Sequence, residues 1–383
     1  MAGKIKVLEV NVDDQGNGGV YSLIKSVIEN KPDNLQIDIA ALEPFEKKEN
    51  IRYLRSLGTR IFFTGYKGNK IKKQLYIYKH MCTLLKKERY DVVHIHSDVA
   101  NKLFVSGLAA KKCGVPRILL HAHASGMDGT NRSIKEKIHF FMRKRLKMLG
   151  AKYIACSYKA AKWMFPGESK DNIKIIKNGI KLENFRYDKN VRKKIRTELG
   201  IGKNDILIGH VGRFMYVKNH DYILKVFKYI YNSAELRDKG TTPKLLLAGT
   251  GELMPEIKKK AASLKISRYV IFYGLSNNVG ELLCAMDVFV MPSFSEGFPV
   301  VGIEAQASGV PVIFSDTITR EARINKNVRF LPIDHNSVKL WGEAIINTDV
   351  SDRKDCVDYL QGKGYDIKDM VKDLVELYTK QSS

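Results

Sequence analysis

Two carboxylates with seven residues between them carry the most legible chemistry in this chain. Glu296 and Glu304 lie in Ala285–Asp316, AMDVFVMPSFSEGFPVVGIEAQASGVPVIFSD. Pro292, Gly297 and Pro299 keep the stretch around Glu296 irregular, and Val300 to Ala307 returns to a helical pattern, so Glu304 is expected about one turn inside a helix. Apolar strands at Val288–Met291 and Val312–Phe314 should flank the pair. A helix N-terminus offers free amides and a partial positive charge to an anion. A phosphate bound there leaves both carboxylates to accept hydrogen bonds from hydroxyls. The ligand so outlined has phosphates in its middle and hydroxyl-bearing rings at both ends, as a nucleotide-sugar does.

Other residues fit the same outline. Arg213 and Lys218 stand five apart in a loop after a strand, where a guanidinium fork and a point charge can converge on one diphosphate. Gly249 and Gly251 follow another strand and permit a tight turn or close approach by a ligand. Gly16, Gly18 and Gly19 lie between the first strand and the first helix without full GxGxxG spacing, which disfavours a dinucleotide site. Amides of that loop meeting a diphosphate fit better. His94, His96, His121 and His123 alternate near two strand ends. No cysteine or close carboxylate pair completes a metal shell around them, so no metal is expected; one of His121 and His123 is expected to face a ligand. Asp-x-Asp is absent from the chain, leaving no chelator for a diphosphate-bound Mg²⁺.

The elements that must position these groups alternate strand and helix. Strands are expected at Ile5–Val10, Ile37–Leu42, Arg60–Phe63, Asp91–Ile95, Arg117–His121 and Lys152–Cys156, then at Ile206–Val211, Leu245–Ala248 and Val270–Phe272. Helical periodicity separates them at 70–88 (Ile71, Leu75, Tyr78, Cys82 and Leu85 inward), 100–113, 133–149, 221–231, 254–264 and 279–285. This order builds parallel sheets covered on both faces. A chain of 383 residues is long for one domain, and the polar stretch 181–204 suits a boundary. The expectation is an α/β protein of two Rossmann-like doubly wound domains, 1–185 and 186–364, with ligands in the cleft between them. On pattern alone the last helix, Met370–Tyr378, could join either.

Composition narrows the class further. The net charge of +24 is lopsided, with 34 Lys+Arg against 16 Asp+Glu in residues 1–180 and 31 against 25 in the remainder. A basic first half invites an anionic partner. The stretch 132–149 is expected to pack Ile134, Ile138, Phe141, Met142, Leu146 and Leu149 inward, with Arg143, Lys144 and Lys147 outward and Phe140 beside them. With Lys70, Lys72 and Lys73 these cations would suit an anionic membrane surface. Aromatic residues interleaved with basic ones in the manner of a nucleic-acid binder are not found, so no nucleic acid is expected. Five scattered cysteines read as free thiols in a reducing cytoplasm.

Taken together, Gly18-Gly19, Asn178-Gly179-Ile180, Gly212-Arg213…Lys218, Gly249-Thr250-Gly251 and Glu296-x7-Glu304 resemble the retaining glycosyltransferases of family 4, with the GT-B fold, among them bacterial capsular and exopolysaccharide enzymes. The resemblance covers nearly the whole chain. It implies that Arg213 and Lys218 hold the diphosphate of a nucleotide-sugar, most often a UDP-sugar, and that Glu304 accepts from the ribose. Glu296 would contact the donor sugar with the amides of Gly297 and Phe298, the amides of Gly18 and Gly19 would approach the diphosphate, and Gly249 and Gly251 would border the donor. The family's histidine near the transferred sugar falls at His123, or else His121. The last helix, within 365–383, would return to the first domain. The acceptor would be a glycan or a lipid-linked glycan, the location cytoplasmic or peripheral on the cell membrane, and no cofactor or metal is implied. His-Ala-His-Ala at 121–124 departs from the family's usual His-Asp. Competing readings are another GT-B enzyme, such as a nucleotide-sugar epimerase or a phosphorylase, and more distantly a nucleic-acid binder.

Overall fold

The computed structural model describes residues 4–14, 19–66, 68–127, 132–349 and 353–379. They divide into two compact units, Met1–Gly179 with Ile367–Ser383, and Ile180–Asp366. The first unit is built on β1 (Ile5–Val10), β2 (Leu35–Ala41), β3 (Ile61–Phe63), β4 (Val92–Ser97), β5 (Arg117–Ala122), β6 (Lys152–Ala155) and β7 (Ile173–Ile175). Their pairing is parallel throughout, in the order β3-β2-β1-β4-β5-β6-β7. The second unit holds β8 (Ile206–Val211), β9 (Pro243–Ala248), β10 (Val270–Gly274), β11 (Val288–Met291), β12 (Val312–Ser315) and β13 (Val328–Leu331), ordered β10-β9-β8-β11-β12-β13. Helices cover both faces of such sheets, so the central strands read as continuous apolar runs; β11, Val-Phe-Val-Met, is buried at every residue. The strand order reverses beside β1 and β4 in one unit and beside β8 and β11 in the other. Those are the positions where doubly wound sheets receive ligands, at the carboxyl ends of the strands.

The last helix, Ile367–Thr379, belongs to the first unit. Ile367, Met370, Val371, Leu374 and Tyr378 recur at helical spacing and lie in one core with Val7, Ile24, Val27 and Ile37. Arg117 donates to the carbonyls of Leu377 and Tyr378, placing a cation where the helix dipole is negative. The polar stretch 181–204 is integral to the second unit. Asp188 caps the helix Lys189–Glu198, and Arg192 and Arg196 both reach the buried Asp287. The division therefore falls ahead of that stretch, at Gly179/Ile180.

Two helical faces differ from expectation. In Lys70–Glu88 the buried residues among those described are Ile77, Met81, Leu84 and Leu85, Leu75 is 56% exposed, and the Ile71 side chain lies outside the described residues. The stretch 132–149 is a helix only over Arg132–Arg143, followed by a 3-10 turn at Leu146–Leu149. Ile134, Ile138 and Phe141 point outward, 61%, 49% and 57% exposed, while His139 is the buried residue of that helix. The inward face is polar because it is held by specific bonds. The His139 ring stacks on Trp163 at 4.4 Å and accepts from the Ala100 amide at 3.1 Å, and Arg143 donates to the Trp163 carbonyl at 2.8 Å. An apolar stripe is thereby turned to solvent among exposed Lys137, Lys144 and Lys147, with Arg145 lying 3.6 Å over the Phe141 ring. Of the other cations, Lys73 pairs with Glu43, Lys72 is exposed, and the Lys70 side chain lies outside the described residues.

Candidate active site

In the second unit, β8 and β11 are neighbours, so the loops that leave them meet. Val217 O accepts from Phe294 N at 2.8 Å, Asn219 Nδ2 donates to Pro292 O at 3.1 Å, and the Tyr216 and Phe294 rings stack at 4.9 Å. This brings Lys218 Nζ to 2.7 Å from Glu296 Oε1, both side chains being largely buried. Arg213 is exposed one turn of loop earlier.

The turn 249–251 holds the Arg213 loop in place. Phe214 N donates to Thr250 O at 2.9 Å, and Leu253 N to Phe214 O at 3.1 Å. Gly249 and Gly251 take φ of +133° and +155°. A Cβ would stand 2.1 Å from Gly212 O at the first and 2.4 Å from Phe214 O at the second. Both glycines are thus required by loop-on-loop packing. Behind them lie residues the sequence reading did not single out. The buried His220 stacks on Phe214 at 4.0 Å, and both its ring nitrogens are buried without a partner among the described residues. Burial, then the charges of His210 and Lys218, pushes its pKa down to about 2. His210 donates from Nδ1 to Val290 O at 2.8 Å. Both stay neutral and serve as packing for the cationic loop.

Glu304 occupies the second turn of the helix Val300–Ala307. It is half-buried, and among the described residues its carboxylate has no hydrogen-bond or ion-pair partner. Burial pushes its pKa up to about 7. Gly297 is buried ahead of that helix, and the buried Phe298 ring packs 6.0 Å from Tyr365. Gly19 opens the helix Gly19–Asn30, exposed, and a Cβ there would meet nothing within 4 Å. Gly18 lies outside the described residues.

The first unit gathers all four alternating histidines at the carboxyl ends of β4 and β5. Glu9 pairs with His94 across β1 and β4, and His96 with His121 across β4 and β5; a strand's alternation puts them on one face. Two hydrogen-bond chains start at Glu9. Its Oε2 lies 2.6 Å from His96 Nε2, and His96 Nδ1 lies 2.9 Å from His123 Nε2. Its Oε1 accepts from Tyr378 Oη at 2.7 Å, which is 2.8 Å from His94 Nδ1, and His94 Nε2 lies 3.1 Å from His121 Nδ1. Glu9, His94, His96, His121 and Tyr378 are buried, whereas His123 follows β5 and keeps partial access. Burial opposes ionisation of Glu9, but electrostatic attraction to His94 and the hydrogen bonds of His94 and His96 outweigh it and hold the carboxyl well below the usual range. Burial lowers His96 to about 4 and holds His121 and His123 well below the usual range. The fold thus supplies His123 with a carboxylate, Glu9, through His96. Its signal was a lone acid inside the apolar strand Ile5–Val10.

Comparison with known proteins bears on the whole chain. The family described as "Glycosyltransferase Family 4" matches residues 33–184, and "Glycosyl transferases group 1" matches residues 191–353. EpsF of Bacillus subtilis (strain 168), which carries a glycosyltransferase's name, is 31% identical over 84% of this chain and 83% of its own length. The "UDP-Gal:alpha-D-GlcNAc-diphosphoundecaprenol alpha-1,3-galactosyltransferase" of Escherichia coli is 28% identical over 69% of this chain and 67% of its own. Among solved structures, Anabaena Alr3699/HepE in complex with UDP-glucose superimposes with a TM-score of 0.75 at 16% identity, over 97% of this chain and 98% of that one. Two parallel sheets of this order, matched along both units by one family's members, leave a single assignment: the chain is a glycosyltransferase of family 4, with the GT-B fold.

Proposed function

We propose that this glycosyltransferase moves a sugar from a UDP-sugar to a glycan or lipid-linked glycan in surface-polysaccharide assembly, with retention of configuration. The observation that carries this reading is the set in the second unit: an exposed Arg213, a Lys218–Glu296 pair and a Glu304 without a partner among the described residues, on elements that meet at a topological switch point. Arg213 and Lys218 take up the diphosphate, Glu304 accepts from the ribose, and Glu296 contacts the sugar, beside the amides of Gly297 and Phe298. A diphosphate drawing Lys218 toward itself would loosen the 2.7 Å pair with Glu296, whose carboxylate is placed to accept from sugar hydroxyls. Gly249 and Gly251 act by holding the Arg213 loop. The family resemblance assigns the amides of Gly18 and Gly19 to the diphosphate and His123 to the transferred sugar.

Departure of the nucleoside diphosphate is then met by fixed cations, without a metal, so positioning and electrostatics supply the rate. A double displacement needs a free carboxylate nucleophile. Glu9, the carboxylate wired to His123, is fully buried with both oxygens hydrogen-bonded. Attack by the acceptor on the face the leaving group vacates is consistent with that burial. The printed name of the Escherichia coli relative, a transfer from UDP-Gal to a lipid-diphosphate-linked sugar, supports donor and acceptor class alike.

A lipid-linked acceptor calls for access to a membrane. Among the described residues no helix is long and apolar enough to cross one. The outward stripe Ile134, Ile138 and Phe141, with Met148 exposed beside it, is ringed by lysines; such a face suits peripheral docking on anionic lipid. The test of the reaction is a panel of UDP- and GDP-sugars, scored by thermal stabilisation and then by turnover on a lipid-diphosphate-linked sugar. The product's anomeric configuration would be read by NMR. Stabilisation by GDP-sugars alone, or an inverted product, would refute the reading.

A further inference from the structure

The hydrogen-bond chain from Glu9 dictates the state of one ring nitrogen. An ionised carboxylate can only accept, so the 2.6 Å contact with Glu9 Oε2 makes His96 the donor at Nε2. A neutral imidazole has one N–H, so His96 Nδ1 accepts. The nitrogen facing it at 2.9 Å, His123 Nε2, must then donate, and His123 Nδ1 is left with a lone pair. We propose that Glu9, acting through His96, is a positioning residue that holds His123 as a hydrogen-bond acceptor at Nδ1. That acceptor favours a donor sugar offering a hydroxyl there over one offering a carboxylate. The sugar preference rests on the reading that His123 faces the transferred sugar; the relay does not.

The surroundings leave the relay one polarity. The second chain holds the other carboxylate oxygen: Tyr378 donates to Glu9 Oε1, and the branch continues through His94, whose Nδ1 also lies 3.1 Å from Glu9 Oε2, to His121, whose Nε2 is buried without a partner among the described residues. That branch ends in the interior, while the His96 branch ends on His123, which keeps partial access to solvent. His94, His96 and His121 also have ligand atoms within 4.8 Å of one another, a spacing a metal could use. The nitrogens of His94 and His121, however, approach to 3.1 Å, as do those of His96 and His123 to 2.9 Å. These are distances of hydrogen bonds sharing a proton. Tetrahedral Zn²⁺ with bonds of about 2.0–2.1 Å would set such nitrogens about 3.3 Å apart.

Reversing the relay tests it. In Glu9→Gln the amide can donate to His96 Nε2, whereupon His96 must donate to His123 Nε2 and His123 Nδ1 gains the proton. Imidazole ¹⁵N–¹H correlation spectra of the full-length protein read the tautomer without any substrate. The expected result is His123 protonated at Nε2 in the wild type and shifted toward Nδ1–H in Glu9→Gln. Tyr378→Phe, which leaves the His96 branch intact, should keep the wild-type tautomer and shows whether loss of packing alone could mimic the effect. An Nδ1–H wild type, or a tautomer unmoved in Glu9→Gln, overturns the relay. So does Co²⁺ uptake with tetrahedral visible bands that vanish in His96→Ala. For the sugar, UDP-glucose should bind the wild type at least tenfold more tightly than UDP-glucuronate, and Glu9→Gln should narrow that ratio. Equal binding of the two by a wild type showing the expected tautomer would overturn the sugar preference and point to the assignment of His123, not to the relay.

Discussion

Replacing Glu304 by glutamine should stabilise the protein while weakening its grip on nucleotide. Desolvation raises this carboxyl from 4.5 to about 7, so the folded chain holds a proton there more readily than the unfolded chain does. Stability is therefore lost as pH rises from about 4.5 to about 7, and the whole cost remains above that. At 1.36 kcal/mol per pH unit, the cost at pH 8 is about 3 kcal/mol; residual solvent access at this half-buried side chain trims it to about 2–3 kcal/mol. Glutamine carries no such cost. For a unit of this size the gain should raise the melting temperature of the nucleotide-free protein by about 4–12 °C at pH 8, and by far less at pH 5, where the wild-type carboxyl is mostly protonated. UDP affinity at pH 8 should fall about tenfold or more, as expected for loss of a charged hydrogen-bond acceptor. Thermal melts at both pH values with UDP titrations check this. A variant no more stable than wild type at pH 8, or equally stabilised at pH 5, would refute the burial argument, and unchanged UDP affinity would refute the ribose assignment.

Arg213→Ala and Lys218→Ala should each cost about 2–4 kcal/mol in the transition state, seen as a fall in kcat/KM; Lys218→Ala should also lower stability, since it removes a largely buried 2.7 Å ion pair with Glu296. Turnover should survive EDTA, because fixed cations meet the diphosphate charge; loss restored by Mg²⁺ or Mn²⁺ would count against those two roles. Ile138→Ser with Phe141→Ser should reduce co-sedimentation with anionic vesicles about tenfold while leaving turnover of a water-soluble acceptor analogue unchanged. Equal recovery on neutral and anionic vesicles would remove the docking proposal.

Much of this architecture is legible in the sequence because parallel strands buried on both faces must be apolar runs, and the loops after them must carry the polar chemistry. Arg213, Lys218, Glu296 and Glu304 stand out for that reason. What escapes is what depends on a neighbour. Ile134, Ile138 and Phe141 read as an inward face because the pattern cannot show Trp163 and Ala100 claiming His139 for the interior. Leu75 is exposed for a related reason: the pattern marks an apolar face of Lys70–Glu88 but not which side its neighbours cover. Gly249 and Gly251 mark close backbone approach, but the partner, the 212–214 loop, is set by tertiary packing that no local pattern encodes. Glu9 and Tyr378 lie at opposite ends of the chain, and no local spacing could unite them.

That union of chain ends sets the order in which the protein can mature during synthesis. The first unit lacks part of its core until Ile367–Thr379 docks, and the ribosome makes that helix only after the entire second unit. Until then, at about 5–20 residues per second, the nascent first unit exposes apolar surface around Ile24, Val27 and Ile37, with Glu9 deprived of Tyr378. Such an intermediate persists for about ten seconds or more and is a natural client for chaperones. Appending a bulky fusion behind the final helix, or swapping its inward residues for polar ones, would prolong that interval. The predicted cost would fall on soluble yield rather than on the specific activity of the molecules that complete folding.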